Sequence, residues 1–159
     1  MSTDTDNIET PKGRIAAIDY GTVRIGIAIC DYDRILASPY EIYTRKNDDF
    51  DAKYFKHFVQ NEQVIRFVVG LPLKLDGQLG GKAKEALAFG KWLSEQTGVE
   101  TVYYDERYTS VEAEQFLLEA NFSRKKRKKR IDKVAAQIFL RAYLEAGCRN
   151  TVETLPLDG

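Results

Sequence analysis

The sequence predicts an α/β protein with one mixed five-stranded sheet and helices on both of its faces. The first three apolar segments are separated only by short turns, which is typical of an antiparallel meander. The two later apolar segments each follow a long amphipathic segment, which is typical of parallel strands joined by crossover helices. At 159 residues, with 43% hydrophobic and 30% charged residues, the chain suits one domain.

The first three strands are predicted at the start of the chain. Residues 14–20 form a buried apolar strand, and residues 21–23 form a turn. In the second strand, residues 24–30, isoleucines alternate with small residues, so one face lets a helix pack closely. A turn at residues 31–33 leads to a third strand at about residues 37–43.

Helices and strands alternate in the rest of the chain. The first helix is predicted to begin at an N-cap of Asp48 or Asp49, with an apolar stripe of Phe50, Tyr54 and Phe58. A strand at residues 65–71 precedes a second helix from about Lys82 to Thr97, which ends at Gly98. A fifth strand follows at residues 99–104. The capping-box pattern at Thr109 predicts a third helix, and the final helix has an inner face of Ile131, Val134, Ala135, Ile138 and Ala142.

This order of elements matches the ribonuclease H-like architecture. We expect residues 1–12 to form a disordered leader, residues 13–148 a single domain of this kind, and residues 149–159 a flexible tail. No apolar run approaches the roughly 20 residues that span a bilayer, and the acidic N-terminus does not resemble a signal peptide. Two cysteines make no disulfide framework, so we expect a cytoplasmic location and no membrane partner.

Charge is distributed unevenly along the chain. The net charge is zero, yet residues 124–130 are seven consecutive basic residues, which leaves 17 of the 24 basic residues against 24 acidic ones elsewhere. This pattern indicates an anionic partner that binds at one edge. The single histidine, His57, argues against a multi-histidine zinc site and weakens a Ser-His-Asp interpretation. We expect His57 to be a surface or structural residue.

Four segments are predicted to meet at the carboxyl edge of the parallel strands, where open α/β sheets bind ligands. Asp19 lies at the end of the first strand, Gly70 at the end of the fourth and Glu106 at the end of the fifth, and Asp132 lies early in the final helix. Carboxylates that share one place repel each other, and a divalent cation relieves the repulsion. Because all the ligands are oxygen atoms, we expect Mg²⁺ or Mn²⁺, which suit phosphate chemistry. Asp105 is a reserve ligand that we expect to be structural.

Each of these features also has a structural explanation. Taken alone, Asp19 is a common type of turn residue, Glu106 is a strand-end charge, and Asp132 is a favourable charge near a helix N-terminus. The glycine-rich segment at residues 70–81 is either a flexible connection or a phosphate-binding loop at a helix start. The basic run is either a solvated helix face or a contact for a nucleic-acid backbone. The joint placement of the carboxylates favours the functional interpretation.

Four motifs occur in order along the chain: Asp19-Tyr-Gly-Thr-Val-Arg-Ile-Gly-Ile-Ala, Val69-Gly-Leu-Pro with Asp76-Gly, Asp105-Glu-Arg-Tyr-Thr, and Ile131-Asp-Lys-Val-Ala-Ala. Together they resemble the YqgF/RuvX family of pre-16S rRNA nucleases, also called Holliday-junction-resolvase-like proteins. The resemblance covers about residues 14–144. It implies a ribonuclease H-like fold and divalent-metal-dependent cleavage of nucleic acid.

The resemblance also implies roles for individual residues. The catalytic carboxylates that hold the metal are expected to be Asp19, Glu106 and Asp132. Site support or substrate contacts are expected at Arg24, Arg107 and Thr109. Beyond the resemblance, we expect substrate contacts in the loops and the basic run, at Thr22, Gly70, Arg127, Lys128 and Lys129. The favoured substrate is pre-rRNA, and the favoured oligomeric state is a monomer.

Three other functions stay open at this point. The same chemistry on a four-way DNA junction describes a Holliday junction resolvase, which normally acts as a dimer because it makes two cuts. The Asp19-Tyr-Gly-Thr turn also resembles the phosphate-binding turn of sugar kinases and actin-like ATPases, which need two such domains. A nucleic-acid-binding module without catalysis is disfavoured, because it has no need for carboxylates beside its basic run. We therefore favour a nuclease that processes the 5′ end of pre-16S rRNA.

Overall fold

The structure, a computed structural model, describes residues 13–109, 124–149 and 151–152, with the side chains of all of these except residues 108 and 124–133. The elements within these ranges are β1 (Arg14–Asp19), β2 (Arg24–Cys30), β3 (Ala37–Thr44), α1 (Asp48–Glu62), β4 (Val64–Leu71), α2 (Gly81–Thr97), β5 (Glu100–Asp105), a 3₁₀ helix (Glu106–Tyr108) and α3 (Arg124–Glu145). Each predicted strand is confirmed to within one residue at each end. Apart from Thr109 itself, the predicted third helix lies outside the described residues.

The strands form one sheet in the order β3-β2-β1-β4-β5. β1 pairs with β2 and β2 pairs with β3 in antiparallel fashion, whereas β1 pairs with β4 and β4 pairs with β5 in parallel. The predicted meander followed by crossovers is therefore confirmed. Because β1, β4 and β5 are adjacent and parallel, their carboxyl ends lie side by side at one edge of the sheet.

Helices cover both faces of the sheet, as predicted. One face packs against the apolar sides of α1 and α2 and includes the alternating isoleucines of β2. The other face packs against α3 and includes the small residues Ala28 and Cys30. Cys30 fills space in this layer and accepts a hydrogen bond from the Ile15 backbone N–H at 3.2 Å.

The start of α1 differs from the prediction in two respects. The N-cap is Asn47, whose side chain accepts a hydrogen bond from the Phe50 backbone N–H at 2.9 Å, and not Asp48 or Asp49. The ring of Phe50 is 55% exposed and does not belong to the buried face of the helix. The reason is geometric. Phe50 precedes Phe58 by eight residues, and over eight residues of an α-helix the side-chain direction rotates by about 80° beyond two full turns. Phe50 is therefore turned away from the face that Phe58 buries.

The end of the chain contributes to the sheet edge. Thr151 forms an isolated antiparallel bridge with Tyr104, and the Val152 backbone N–H donates to the Tyr103 carbonyl oxygen at 2.8 Å. Two residues of the expected tail are thus held against β5. Within the described part of the chain, no helix is long and apolar enough to cross a membrane.

Candidate active site

An open pocket of about 340 Å³ lies at the carboxyl edge of β1, β4 and β5. Its lining includes Asp19 from the end of β1, Gly70 from β4 and Glu106 from the residue after β5. Helix α2 closes one side with Lys82 and Glu85. Three of the four segments that the sequence predicted to meet therefore share one pocket.

Strand register explains why these three residues meet. Ile18 pairs with Val69, and Gly70 pairs with Tyr104, so the ends of β1, β4 and β5 are level. Side chains alternate between the two faces of a sheet. Ile15 and Ala17 face α3, which puts Asp19 on the same face, and the alternation of β4 and β5 puts Gly70 and Glu106 there as well. The acidic groups thus gather on the α3 side of the edge.

Gly70 leaves the space that the Glu106 carboxylate occupies. A Cβ atom at position 70 would collide with Glu106 Oε1 and would lie 2.9 Å from Cε1 of Phe139. Any larger residue would displace the carboxylate or the aromatic ring behind it. Position 70 therefore requires glycine because the Glu106 carboxylate approaches the backbone closely, and not because the backbone has an unusual φ angle.

The chain folds back tightly just after Asp19. A Cβ atom at Gly21 would collide with the carbonyl oxygen of Arg24, so this turn needs glycine. The turn presents Thr22 to the pocket. Arg24 begins β2 with an exposed side chain and is not among the residues that line the pocket.

The charge of Glu106 is strongly affected by its surroundings. Burial, together with the nearby charges of Asp19 and Asp105, raises the pKa of Glu106 from 4.5 to about 7. The carboxyl group therefore pays an electrostatic cost when it ionises beside Asp19. A cation held by Asp19 and Glu106 would offset the repulsion between the two carboxylates.

Asp105 has a different role from its neighbour Glu106. Its carboxylate accepts hydrogen bonds from Nε of Arg107 at 3.0 Å and from Nη2 at 2.6 Å. Burial acts to raise the pKa of Asp105, but the hydrogen bonds and charge of Arg107 outweigh it and hold the pKa below its ordinary value. Asp105 also accepts from the Arg107 backbone N–H at 3.0 Å and so caps the 3₁₀ helix. These contacts agree with the structural role expected for Asp105.

Arg107 also connects β5 to the glycine-rich loop. Its Nη1 donates to the Leu75 carbonyl oxygen at 3.2 Å and approaches that of Lys74 at 3.5 Å. The loop bends at Gly77, whose φ of +85° favours glycine, directly beside this guanidinium. The contacts with the loop and with Asp105 make Arg107 a positioning residue.

Thr109 is buried and closes the turn that carries Glu106. Its Oγ1 donates to the Glu106 carbonyl oxygen at 3.1 Å, and its backbone N–H donates to the same oxygen at 3.0 Å. The structure therefore places Thr109 behind Glu106, where it holds the backbone of that residue.

The remaining predicted site residues lie on α3. Asp132, Arg127, Lys128 and Lys129 are helical residues whose side chains lie outside the described part of the structure. Position 132 shares a helix face with Ala136, Phe139 and Tyr143, which are buried against the sheet. It precedes Phe139 by seven residues, or about 10 Å of helix. Asp132 is therefore about two helical turns before Phe139, the residue of α3 that reaches Gly70.

Lys82 was missed by the sequence interpretation. It belongs to the first turn of α2, whose N-cap is Gly80 with no side-chain capping bond. The backbone N–H groups of this first turn lack a side-chain acceptor, and such helix starts attract anions. The signal in the sequence was a lysine placed directly after a glycine pair that leads into a helix.

The donor set in the pocket fits a hard divalent cation. Asp19 and Glu106 offer carboxylate oxygens, the donors that Mg²⁺ and Mn²⁺ prefer. Among the side chains that the structure describes, no group of three histidine, cysteine or acidic residues could enclose a metal ion. A third protein ligand would have to come from a residue outside that set, and Asp132 is such a residue.

Comparison with solved structures defines the class of protein. The fold matches that of RuvC from T. thermophilus, solved in complex with a Holliday junction substrate, with a TM-score of 0.51 and 14% identity over 88% of this chain and 99% of that one. The sheet order, the helices on both faces and this match identify a ribonuclease H-like α/β protein, as the sequence predicted.

Sequence comparison then gives the family. The family model of RuvX, described as Holliday junction resolvase, matches residues 13–146, and the chain belongs to this family. A relative from Rhodopirellula baltica is 48% identical over 137 residues, which cover 86% of this chain and 79% of the relative. A relative from Syntrophomonas wolfei is 42% identical over 134 residues, which cover 84% of this chain and 95% of the relative. Both relatives are named as candidate pre-16S rRNA nucleases.

Proposed function

We propose that the chain is a metal-dependent nuclease that hydrolyses phosphodiester bonds during 5′-end processing of pre-16S rRNA. The observation that carries this proposal is the pairing of Asp19 and Glu106 in one pocket at the carboxyl edge of the sheet. The names of the curated relatives support the choice of substrate. The location that we propose for this activity is the cytoplasm.

The proposed metal ligands are Asp19, Glu106 and Asp132, and the proposed ion is Mg²⁺ or Mn²⁺. Such an ion, when bound, activates water as a nucleophile and stabilises the leaving oxygen of a phosphodiester. The raised pKa of Glu106 supports a cation there, because an ion would stabilise the two ionised carboxylates together.

The other residues of the pocket would bind and orient the strand. Lys82 lines the pocket, and the start of α2 beside it, which has no side-chain cap, suits a phosphate group. Thr22 offers a hydroxyl at the pocket wall. Arg107 and Thr109 would hold Glu106 in place through the loop and the 3₁₀ turn, and the basic run of α3 would contact the backbone of the nucleic acid.

A second candidate function is the resolution of four-way DNA junctions. The description of the family model supports it, since the matched family is named for Holliday junction resolvase. Resolution of a symmetric junction takes two cuts and normally requires a dimer. We favour the RNA substrate because both relatives described above are named for pre-16S rRNA, and we expect a monomer.

The test compares two substrates side by side in Mg²⁺ or Mn²⁺. A 5′ fragment of pre-16S rRNA and a four-way DNA junction are each incubated with the wild-type protein and with Asp19→Asn. Cleavage of the RNA alone, lost in the variant, is the expected result. Paired cuts in the junction would favour the resolvase. Cleavage that persists in Asp19→Asn would rule out the proposed mechanism.

A further inference from the structure

A second groove lies beside the catalytic pocket, between the end of β3 and the first turns of α1. It is open, has a volume of about 500 Å³ and is lined by Tyr43, Lys46, Phe50, Lys53, Tyr54 and His57. We call these six residues the aromatic groove. No carboxylate is among them. Nothing in the proposed hydrolysis at Asp19 and Glu106 requires these side chains.

Phe50 is the most unusual member of the groove. Its ring is 55% exposed, although it stands on a helix whose other aromatic residues pack inward. The ammonium groups of Lys46 and Lys53 lie 5.7 Å and 6.0 Å from the centre of the ring. An exposed ring between two cations costs hydrophobic free energy in the isolated protein, but it suits a ligand that has both flat rings and negative charge.

The wall of the groove is held rigidly. The rings of Tyr43 and Tyr54 lie with their centres 4.0 Å apart. The Tyr43 hydroxyl donates to Asp51 at 2.6 Å, and the Tyr54 hydroxyl donates to Glu41 at 2.5 Å. Asp51 also accepts from the Lys46 backbone N–H at 3.0 Å, which fixes that residue. The platform is therefore formed before any ligand binds.

The groove and the catalytic pocket lie at the same edge of the sheet. β3 runs in the same direction as β1, so its end lies at the same edge, two strands or about 10 Å away. Arg45 joins the two sites, because its Nη1 donates to the Tyr20 hydroxyl at 3.1 Å and its Nε pairs with Asp51 at 3.4 Å. Tyr20 lines the catalytic pocket.

From this arrangement we propose that the aromatic groove binds a single-stranded segment of nucleic acid that extends from the catalytic pocket. The unpaired bases stack on Phe50 and on the tyrosine wall, while Lys46 and Lys53 contact the phosphates. Stacking of this kind tolerates any base sequence and requires bases that are not paired. The inference rests on the proposed function for the identity of the ligand, and it adds a preference for substrates with an unpaired flank.

The test measures binding without cleavage, so every protein carries Asp19→Asn. The probes are a fluorescein-labelled blunt RNA duplex and the same duplex extended by a short run of unpaired uridines. We expect the extended duplex to bind more tightly, and Phe50→Ala to weaken that binding by about fivefold or more, with no change for the blunt duplex. Tyr32→Ala is the matched control, because Tyr32 is 52% exposed under the Arg14 guanidinium but lies near the opposite edge of the sheet.

Two further measurements separate stacking from a general loss of structure. Phe50→Trp keeps an aromatic ring, so it should retain the affinity, and its added fluorescence should be quenched by the unpaired uridines. Lys46→Ala combined with Lys53→Ala should lower the slope of log Kd against log salt by about 1.4, the value for two phosphate contacts on a single strand. Thermal unfolding confirms that each variant is folded.

The proposal is overturned if the extended and blunt duplexes bind the wild-type groove equally, or if Phe50→Ala and Tyr32→Ala behave alike. Because binding is measured apart from cleavage, these outcomes do not depend on whether the chain cuts pre-16S rRNA. If the protein binds the unpaired uridines through Phe50 but cleaves neither substrate, the proposal for the aromatic groove stands and the proposed nuclease function fails.

Discussion

The carboxylate of Glu106 lies against the backbone of Gly70, in space that any Cβ atom at position 70 would fill. This contact joins the end of β4 to the residue that follows β5. It makes the position of one acidic group depend on the absence of a side chain on the neighbouring strand. The same close approach includes the ring of Phe139 from α3, so three elements meet at one point.

Gly70→Ala should therefore reduce cleavage strongly while it destabilises the fold only moderately. The added methyl group would displace Glu106, and the overpacking against Phe139 should cost about 1–3 kcal/mol of unfolding free energy. We expect cleavage to fall by about a hundredfold, the size of effect that a misplaced catalytic group produces. Gly81→Ala is the control, because it keeps every backbone N–H group of α2 and adds a Cβ atom that has no neighbour within 4 Å. Equal cleavage by the two variants would show that the contact at position 70 is unimportant.

Glu106→Gln should change the dependence of stability on pH in a metal-free buffer. Because the pKa of Glu106 rises from 4.5 to about 7 on folding, the folded chain holds a proton that the unfolded chain releases. The unfolding free energy should fall as the pH rises from about 4.5 to about 7, by up to about 3 kcal/mol. The glutamine variant lacks this loss, so it should be more stable than the wild type at pH 8 and similar at pH 4.

Urea denaturation in EDTA at several pH values measures this effect. Glu95→Gln, which removes an exposed carboxyl group on α2, is the control. If the wild type and Glu106→Gln kept the same difference in stability at pH 4 and pH 8, burial and the neighbouring carboxylates would not raise the pKa of Glu106 in the folded chain.

Mg²⁺ should stabilise the wild-type protein even without a substrate. An ion at tenfold its dissociation constant adds about 1.4 kcal/mol to the unfolding free energy. Asp19→Asn removes one proposed ligand and should lose most of this gain, whereas Asp33→Asn, in the exposed turn between β2 and β3, should keep it. Thermal unfolding with and without Mg²⁺ measures the gain. A gain of equal size in the wild type and both variants would place the ion elsewhere.

Arg107→Ala should release the glycine-rich loop. The change removes the hydrogen bond to the Leu75 carbonyl oxygen and leaves the buried carboxylate of Asp105 without its guanidinium partner. We expect a loss of about 1–3 kcal/mol in stability and faster hydrogen exchange at residues 73–79. Arg141→Ala, which breaks only an exposed pair with Glu145, should cost less than about 0.5 kcal/mol. Unchanged exchange in the loop would contradict the positioning role of Arg107.

The sequence predicted the strands, whose alternation is local, but it misplaced the inner face of the final helix. Val134, Ala135 and Ile138 are only partly buried. The helix residues buried against the sheet are Ala136, Phe139, Leu140 and Tyr143.

The alternation along the strands predicted that Asp19 and Gly70 lie at the ends of neighbouring strands. The same pattern predicted that Glu106 lies at the end of β5. The exposure of Phe50 was not predicted, because a stripe drawn at every fourth residue drifts around the helix. The bridge in which Arg45 contacts both Asp51 and Tyr20 depends on how β3 meets α1, and no spacing in the sequence encodes that geometry.

The most direct measurement compares cleavage and binding of one RNA, a 5′ fragment of pre-16S rRNA, by the wild type and Asp19→Asn in Mg²⁺. A metal site contributes several kcal/mol to a hydrolytic transition state, which is at least about a hundredfold in rate. We predict that Asp19→Asn binds the RNA with an affinity near that of the wild type and cleaves it at least about a hundredfold more slowly, while Asp33→Asn behaves as the wild type. Cleavage by Asp19→Asn at the wild-type rate would contradict a nuclease built on this acidic pocket.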